Sequence, residues 1–239
     1  MSVTTEDQIL IQNHILASLS AEEYERLLPH LEQVEIRLGE ILSRPDEPIE
    51  YAYFPQSGTI SVIVLMEDGA QVEVGIVGNE GMFGLPIVLG TTSAPLQALV
   101  QIAGQALRMK ASVLREKAEN GGQLHQLLLC YTQAFFIQTA ITAACNRVHH
   151  LDGRLARWLL MCQDRAKTDE LQLTHEFIAT MLGVRRAGVS VAANKLQAAG
   201  LISYTRGDIH ILDRTGLEAY SCECYGVVRR ELARLLAAC

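Results

Sequence analysis

The chain has 239 residues, 49% of them hydrophobic and 20% charged, with a formal net charge of −7. That is enough apolar material for one large domain or two ordinary ones, and it excludes a chain too polar to bury a core. The charge is divided: residues 1–145 carry 7 Lys+Arg against 17 Asp+Glu (−10), and residues 146–239 carry 13 against 10 (+3), so an acidic module is joined to one able to approach a polyanion.

The opening MSVTTEDQILIQNHIL is acidic and has no cationic n-region, so no secretory signal is expected. Ser20-Ala21-Glu22-Glu23 fits a capping box ahead of the helically spaced Tyr24, Leu27, Leu28 and Leu31. From Val34 to Lys110 the texture becomes short extended runs punctuated by Gly and Pro. In SVIVLMEDGAQVEVGIV, Asp68-Gly69 supplies a hairpin turn, with Val72, Val74 and Ile76 on one face and Gln71, Glu73 and Gly75 on the other. The fold class expected is α+β, beginning with an antiparallel jelly-roll barrel flanked by helices.

A short helix is expected over 111–119, stopped by Asn120-Gly121-Gly122, and a long one from Gln123 to about Asn146. At 1.5 Å per residue the latter would run roughly 35 Å. Its positions Leu124, Leu128, Tyr131, Phe135, Gln138, Thr142 and Cys145 step by alternating four and three, a coiled-coil seam. They are read as the homodimer interface, the helix resting its other face on its own barrel; the alternative is a buried core helix, since Leu127, Leu129, Phe136, Ile137 and Ile141 widen the apolar surface. Two uncharged runs, 81–107 and 120–146, are long enough to raise the membrane question. Prolines and glycines break the first, and Gln123, His125, Gln126, Gln133 and Gln138 interrupt the second, so no membrane span is expected.

LDGRLARWLLMCQDRA continues as a helix with Leu155, Trp158, Leu159 and Cys162 on one side, opening a small separate module of about 148–212. Within it Thr174 caps the segment HEFIATML, Gly183 breaks it, and a second helix runs to Ala199 before Gly200. Ala179, Gly183 and Val189 stand at relative spacings 0, +4 and +10. Steeply crossing helices require this set: a small residue at the contact, a glycine able to take positive φ, and a β-branched residue beneath the second helix. The outer face of that second helix offers Arg185, Arg186, Ala187, Gly188, Ser190, Val191, Asn194 and Lys195, which with the cap residue Thr174 are expected to contact DNA. An arginine fork can donate two bonds to guanine, and Lys195, farther along, suits a phosphate. LISYTRGDIHIL then reads as a wing hairpin, with Arg206 at its turn reaching the nucleic-acid backbone.

Six cysteines stand at 130, 145, 162, 222, 224 and 239 without a CxxC, and Cys222-x-Cys224 is too close for the usual zinc knuckle. They are read as mostly buried thiols of a reducing compartment, Cys239 being exposed at the terminus. His149-His150 beside Cys145 are read as a hinge, and no metal site and no cofactor are assigned. The chain carries no nucleophile elbow, HExxH, P-loop or placeable carboxylate pair, so no enzyme is expected.

Acidic barrel, seam helix and winged helix-turn-helix, in that order, resemble the Crp/Fnr family of bacterial transcription regulators. The motifs carrying the likeness are YAYFPQSGTISVIVLMEDG, VGNEGMFGLP and LGVRRAGVSVAANKLQAAGLISY, and it spans about Ser20 to Leu212. The resemblance implies an effector domain over 1–120, a dimerisation helix over 121–147, a DNA-binding domain over 148–214 and a helical extension over 215–239. It also implies a cytoplasmic homodimer that binds an inverted repeat in double-stranded DNA, with RNA polymerase as a further partner. The effector pocket would lie at Gly81, Phe83, Gly84, Leu85, Leu96, Gln97 and Ala98. There the chain departs from members that bind cyclic AMP: Leu85 stands where they carry the ribose-binding glutamate, and Leu96-Gln97-Ala98 where they carry an Arg-Ser pair. No Lys or Arg occurs between Arg44 and Arg108, so an anionic phosphate would find no charge partner, and the effector, which the sequence does not identify, is not expected to be cyclic AMP. The absence of any cysteine before Cys130 argues against an iron–sulfur sensor, and His14, His30, His125, His149 and His150 are not assigned to haem. In the reading helix Arg186 matches the family's first arginine, but Ala187 and Val191 replace its glutamate and second arginine, which predicts a different operator. The alternative reading is a small-molecule or redox sensor whose winged module docks a protein.

Overall fold

The structure is a computed structural model that describes residues 11–119 and 121–238. Asn120, Cys239 and the first ten residues, with the expectations attached to them, lie outside the described residues. Two short helices, α1 (His14–Ala17) and α2 (Ala21–Leu27), come first. Ser20 caps α2 by accepting from the Glu23 amide at 3.3 Å. Glu23 does not close the expected box. Its carboxylate accepts from the amides of Gln123 and Leu124, both at 3.1 Å, and so caps the long helix a hundred residues later.

Seven strands follow: β1 (Glu32–Ile36), β2 (Ile41–Ser43), β3 (Tyr51–Pro55), β4 (Thr59–Leu65), β5 (Gln71–Val77), β6 (Gln97–Ile102) and β7 (Gly104–Lys110). They form two antiparallel sheets, ordered β1-β7-β3 and β2-β6-β4-β5. The sheets are not hydrogen-bonded into a closed barrel among the described residues, but Ile36, Phe54 and Met109 of one share a core with Ile60, Val62 and Val100 of the other. The short helix α3 (Leu85–Val88) lies between β5 and β6.

The β4–β5 hairpin turns at Gly69 (φ +85°), where Asp68 Oδ1 accepts from the Ala70 amide at 2.9 Å. Its register slips, with Val62 opposite Gly75 and Ile63 opposite Glu73. The slip overturns simple alternation: Glu73 and Ile76, expected on opposite faces, are both buried, as is Val77.

The helices α4 (Ala111–Glu119), α5 (Gly122–Val148) and α6 (Leu151–Ala166) follow with the expected limits to within two residues. Helix α5 is long and apolar enough to cross a membrane, but one of its faces is packed on protein. That packing corrects the dimer seam. Leu124, Leu128, Tyr131, Gln138, Thr142 and Cys145 are buried against their own chain. Gln138 Nε2 donates to Ile76 O at 3.1 Å, and Phe135 packs on the β-domain core. The four-three pattern reports a long helix with one apolar stripe, and that stripe covers the protomer's own sheets. The outward stripe is Leu129, Gln133, Phe136, Ala140, Ala143 and Arg147.

The C-terminal module comprises β8 (Glu170–Gln172), α7 (His175–Leu182), α8 (Arg186–Ala198), β9 (Ile202–Thr205), β10 (Asp208–Ile211), α9 (Arg214–Tyr220) and α10 (Cys224–Ala238). Strand β8 was not expected. It joins the wing in a sheet ordered β8-β10-β9. Nor is the module separate, because its core around Trp158, Leu159, Ile178 and Leu196 includes Ile63 and Ile76 from the β4–β5 hairpin.

Candidate nucleic-acid interface and effector pocket

The helix-turn-helix is built as the spacing requires. Thr174 Oγ1 accepts from the Phe177 amide at 3.1 Å and caps α7. Gly183 takes φ +62°, its amide donates to Thr180 O at 3.2 Å, and the Val184 amide donates to Ala179 O at 2.9 Å, a Schellman closure. A Cβ at Gly183 would also lie 2.3 Å from Val72 Cγ2, so the turn needs glycine for its backbone and for its contact with the β4–β5 hairpin. Arg154 Nη2 donates to Leu182 O at 2.7 Å and fixes the end of α7 to α6.

Helix α8 buries Val189, Ala192, Ala193 and Leu196 and exposes Arg185, Arg186, Ala187, Val191, Asn194 and Lys195. Its N-cap, Arg185, is extended and makes no side-chain cap bond, so first-turn amides are left for an external acceptor such as phosphate. Arg186 lies 3.9 Å from Glu176, both well exposed, a contact that solvent screens. Lys195 Nζ donates to Asp152 Oδ2 at 2.8 Å, and this bond holds the Asp152 carboxyl below its usual range. Two expected contact residues are engaged internally. Gly188 closes on Leu151, and Ser190 Oγ bonds His175 Nδ1 at 2.9 Å and donates to Arg186 O at 3.3 Å.

Sequence reasoning missed His175. It is buried and stacks on Tyr204 of the wing with ring centroids 3.9 Å apart, so it ties wing, α7 and α8 together. Burial, aided by Arg186, lowers its pKa and keeps it neutral. At the wing tip Arg206 and Gly207 have φ of +52° and +101°, as a two-residue type I′ turn requires, and Arg206 is exposed.

Between the β-domain and α5 lies an apolar cavity lined by Ile49, Val62, Val77, Met82, Phe83, Gly84, Leu85, Pro86, Ala94, Leu96 and Phe135. Four expected effector residues, Phe83, Gly84, Leu85 and Leu96, line it. Gly81 lies instead against the Tyr131 ring, and Gln97 and Ala98 are buried on β6 away from the cavity. Phe135 was read as a dimer contact but reaches into this cavity from α5.

Polar contacts connect this domain to α6. Trp158 Nε1 donates to Glu73 Oε1 at 2.8 Å. Ser61 Oγ lies 2.5 Å from Glu73 Oε2 and 2.6 Å from Gln101 Oε1. One hydroxyl proton cannot serve both acceptors, so a protonated Glu73 completes the set. Burial pushes its carboxyl up to about 7. Below it Glu80 and Arg165 form a buried ion pair at 2.7 Å. The fold also gathers Cys145, His149, Cys222 and Cys224 where no metal site was expected, their ligand atoms all within 4.8 Å of one another.

A β-domain with an inward pocket, a long helix and a winged helix-turn-helix with an arginine-bearing second helix are together the architecture of a DNA-binding transcription regulator. Residues 33–120 match the cyclic nucleotide-binding domain, and residues 153–220 match the Crp-like helix-turn-helix domain. The chain belongs to the Crp/Fnr family of transcription regulators. It is 24% identical over 218 residues to the global nitrogen regulator of Synechocystis sp., covering 86% of this chain and 95% of that one. Among solved structures it resembles FixK2 from Bradyrhizobium japonicum (TM-score 0.68, 22% identity, 80% of this chain and 98% of that one). It also resembles the c-di-GMP-responsive global regulator CLP of Xanthomonas campestris (TM-score 0.66, 16% identity, 80% and 99%).

Proposed function

We propose that the chain acts in the cytoplasm as a homodimer reading an inverted-repeat operator in double-stranded DNA, in contact with RNA polymerase. The N-terminal turn of α8 enters the major groove. The carrying observation is the uncapped start of α8, with Arg185 and Arg186 exposed beside the apolar Ala187 and Val191. Arginine reads guanine O6 and N7, while the apolar pair suits a thymine methyl. The effector is an uncharged, largely apolar small molecule, because the cavity offers no charged side chain. Phe135 carries its presence to α5. Cyclic AMP does not fit this reading, and calorimetry is expected to show no binding at micromolar ligand.

Selecting binders from random duplexes at stated salt tests the proposal. A two-fold symmetric consensus with half-sites about 34 Å apart is expected. Failure to enrich any sequence, with equal retention of all duplexes, would overturn it.

A further inference from the structure

The C-terminal end of α5 and the segment between α9 and α10 meet outside the lining of the cavity. Cys145 lies in the last turn of α5 and His149, four residues on, is its C-cap, the His149 amide donating to Cys145 O at 3.1 Å. Cys222 and Cys224 arrive from the other side. Cys145 Sγ and Cys222 Sγ are 3.5 Å apart, and Cys224 Sγ and His149 Nδ1 are 3.6 Å apart. Zinc bonds of about 2.3 Å to sulfur and about 2.0–2.1 Å to nitrogen, at tetrahedral angles, require edges of about 3.8 Å between sulfurs and about 3.5 Å from sulfur to nitrogen. Two of the six edges match these lengths, and the other four are within 4.8 Å. We propose that Cys145, His149, Cys222 and Cys224 form a structural zinc site that clamps the C-terminal module to the end of the long helix.

Two further observations point to a bound cation. His149 turns Nδ1 toward Cys224, and its Nε2 lies 3.2 Å from the Glu223 carboxylate. A carboxylate behind a metal-bound histidine fixes its ring and strengthens it as a ligand. The second concerns charge. Arg154 and Arg157 are 7% and 2% exposed, and the Nε of each has no partner among the described residues. Arg157 Nη1 donates to Thr142 Oγ1 at 3.3 Å, three residues before Cys145. Zinc with three thiolates and a neutral imidazole carries one net negative charge, which these buried guanidiniums would offset. On binding, three thiols lose protons to solvent as the sulfur–zinc bonds form, and no oxidant is needed. The site brackets the turn between Val148 and Leu151, so a filled site would fix the angle at which α6 leaves α5.

The test uses the full chain, purified under reducing conditions without chelator, and does not depend on DNA binding. Elemental analysis should find about one zinc per protomer. The protein stripped of metal and titrated with cobalt(II) should show the visible bands of tetrahedral cobalt and a thiolate-to-cobalt charge-transfer band. Cys222→Ser and His149→Ala should each weaken or abolish that spectrum, whereas Cys162→Ser, at a cysteine remote from the cluster, should leave it intact. The proposal is overturned if the unaltered protein gives no such spectrum with cobalt, or if the spectrum survives Cys222→Ser unchanged. A Cys145–Cys222 disulfide, with no bound metal, in protein mapped straight from reducing cells would also overturn it. The cobalt titration of the unaltered chain decides the matter even if a variant fails to fold.

Discussion

Arg186 and Lys195 are both exposed on α8, yet their neighbours assign them different work. The guanidinium of Arg186 has only a loose, screened contact with Glu176 and sits at the helix start proposed to enter a groove. Arg186→Ala is expected to cost about 1–3 kcal/mol on the selected operator and to relax the preference at one base position. Lys195 must leave Asp152 to meet a phosphate. Lys195→Ala should weaken binding on all sequences alike and lower the salt slope by about one. Titrations on operator and scrambled duplexes across a salt series separate the two. Arg206 is a long side chain held in a left-handed conformation at a turn position that favours Asn or Gly. Arg206→Asn should stabilise the chain by about 1 kcal/mol in urea unfolding while weakening DNA binding. A loss of both would mean that the arginine supports the turn and is not strained there.

Between elements, the contact of β5 with α6 is where protonation matters. Glu73 is buried with Ser61 and Trp158, and Arg157 and Arg165 act on it only weakly against desolvation. Its folded value of about 7 lies above its ordinary 4.5. The stability it contributes is therefore fully present below 4.5 and is lost as pH rises through about 7. Glu73→Gln keeps a donor for Ser61 and an acceptor for Trp158 but cannot ionise. Melting temperatures across that window should fall with rising pH in the parent more steeply than in the variant. Parallel curves would place the titrating group elsewhere. The bulge opposite Val62 makes this contact possible, because it turns Glu73 and Ile76 toward α6 together.

For the assembled molecule, α5 must serve two surfaces. Its inner stripe covers its own sheets, and its outer stripe carries Leu129 and Phe136, 45% and 66% exposed. Leucine and phenylalanine two turns apart on one helical stripe supply the apolar contact a symmetric helix pair requires. Phe136→Glu is therefore expected to give a monomer in sedimentation velocity, with helical circular dichroism unchanged and operator affinity greatly reduced. A dimer that persisted would move the interface off α5. An effector pressing on Phe135 and a partner helix pressing on Phe136 would act on adjacent residues of one rigid rod, a short route from cavity to DNA.

Helix limits, the hairpin turn at Asp68-Gly69 and the 0, +4, +10 geometry of Ala179, Gly183 and Val189 were legible in the chain, because each depends on local backbone preference and on the period of apolar side chains. So were the exposed arginines of α8 and the lack of a cation in the pocket, since charge in a short segment is read directly. Which stripe of α5 faces inward was not legible: both stripes are apolar, and only the docking of β5 and α10 chooses between them. Nor were Glu73 beneath Trp158, His175 against Tyr204, or four metal-type ligands drawn from positions 145 and 224 at the extremes. Those pairings join residues far apart in sequence, and a contact of that kind has no local signature. Only tertiary packing, of the wing on α7 within the C-terminal module and of the two modules on α6, brings them within reach.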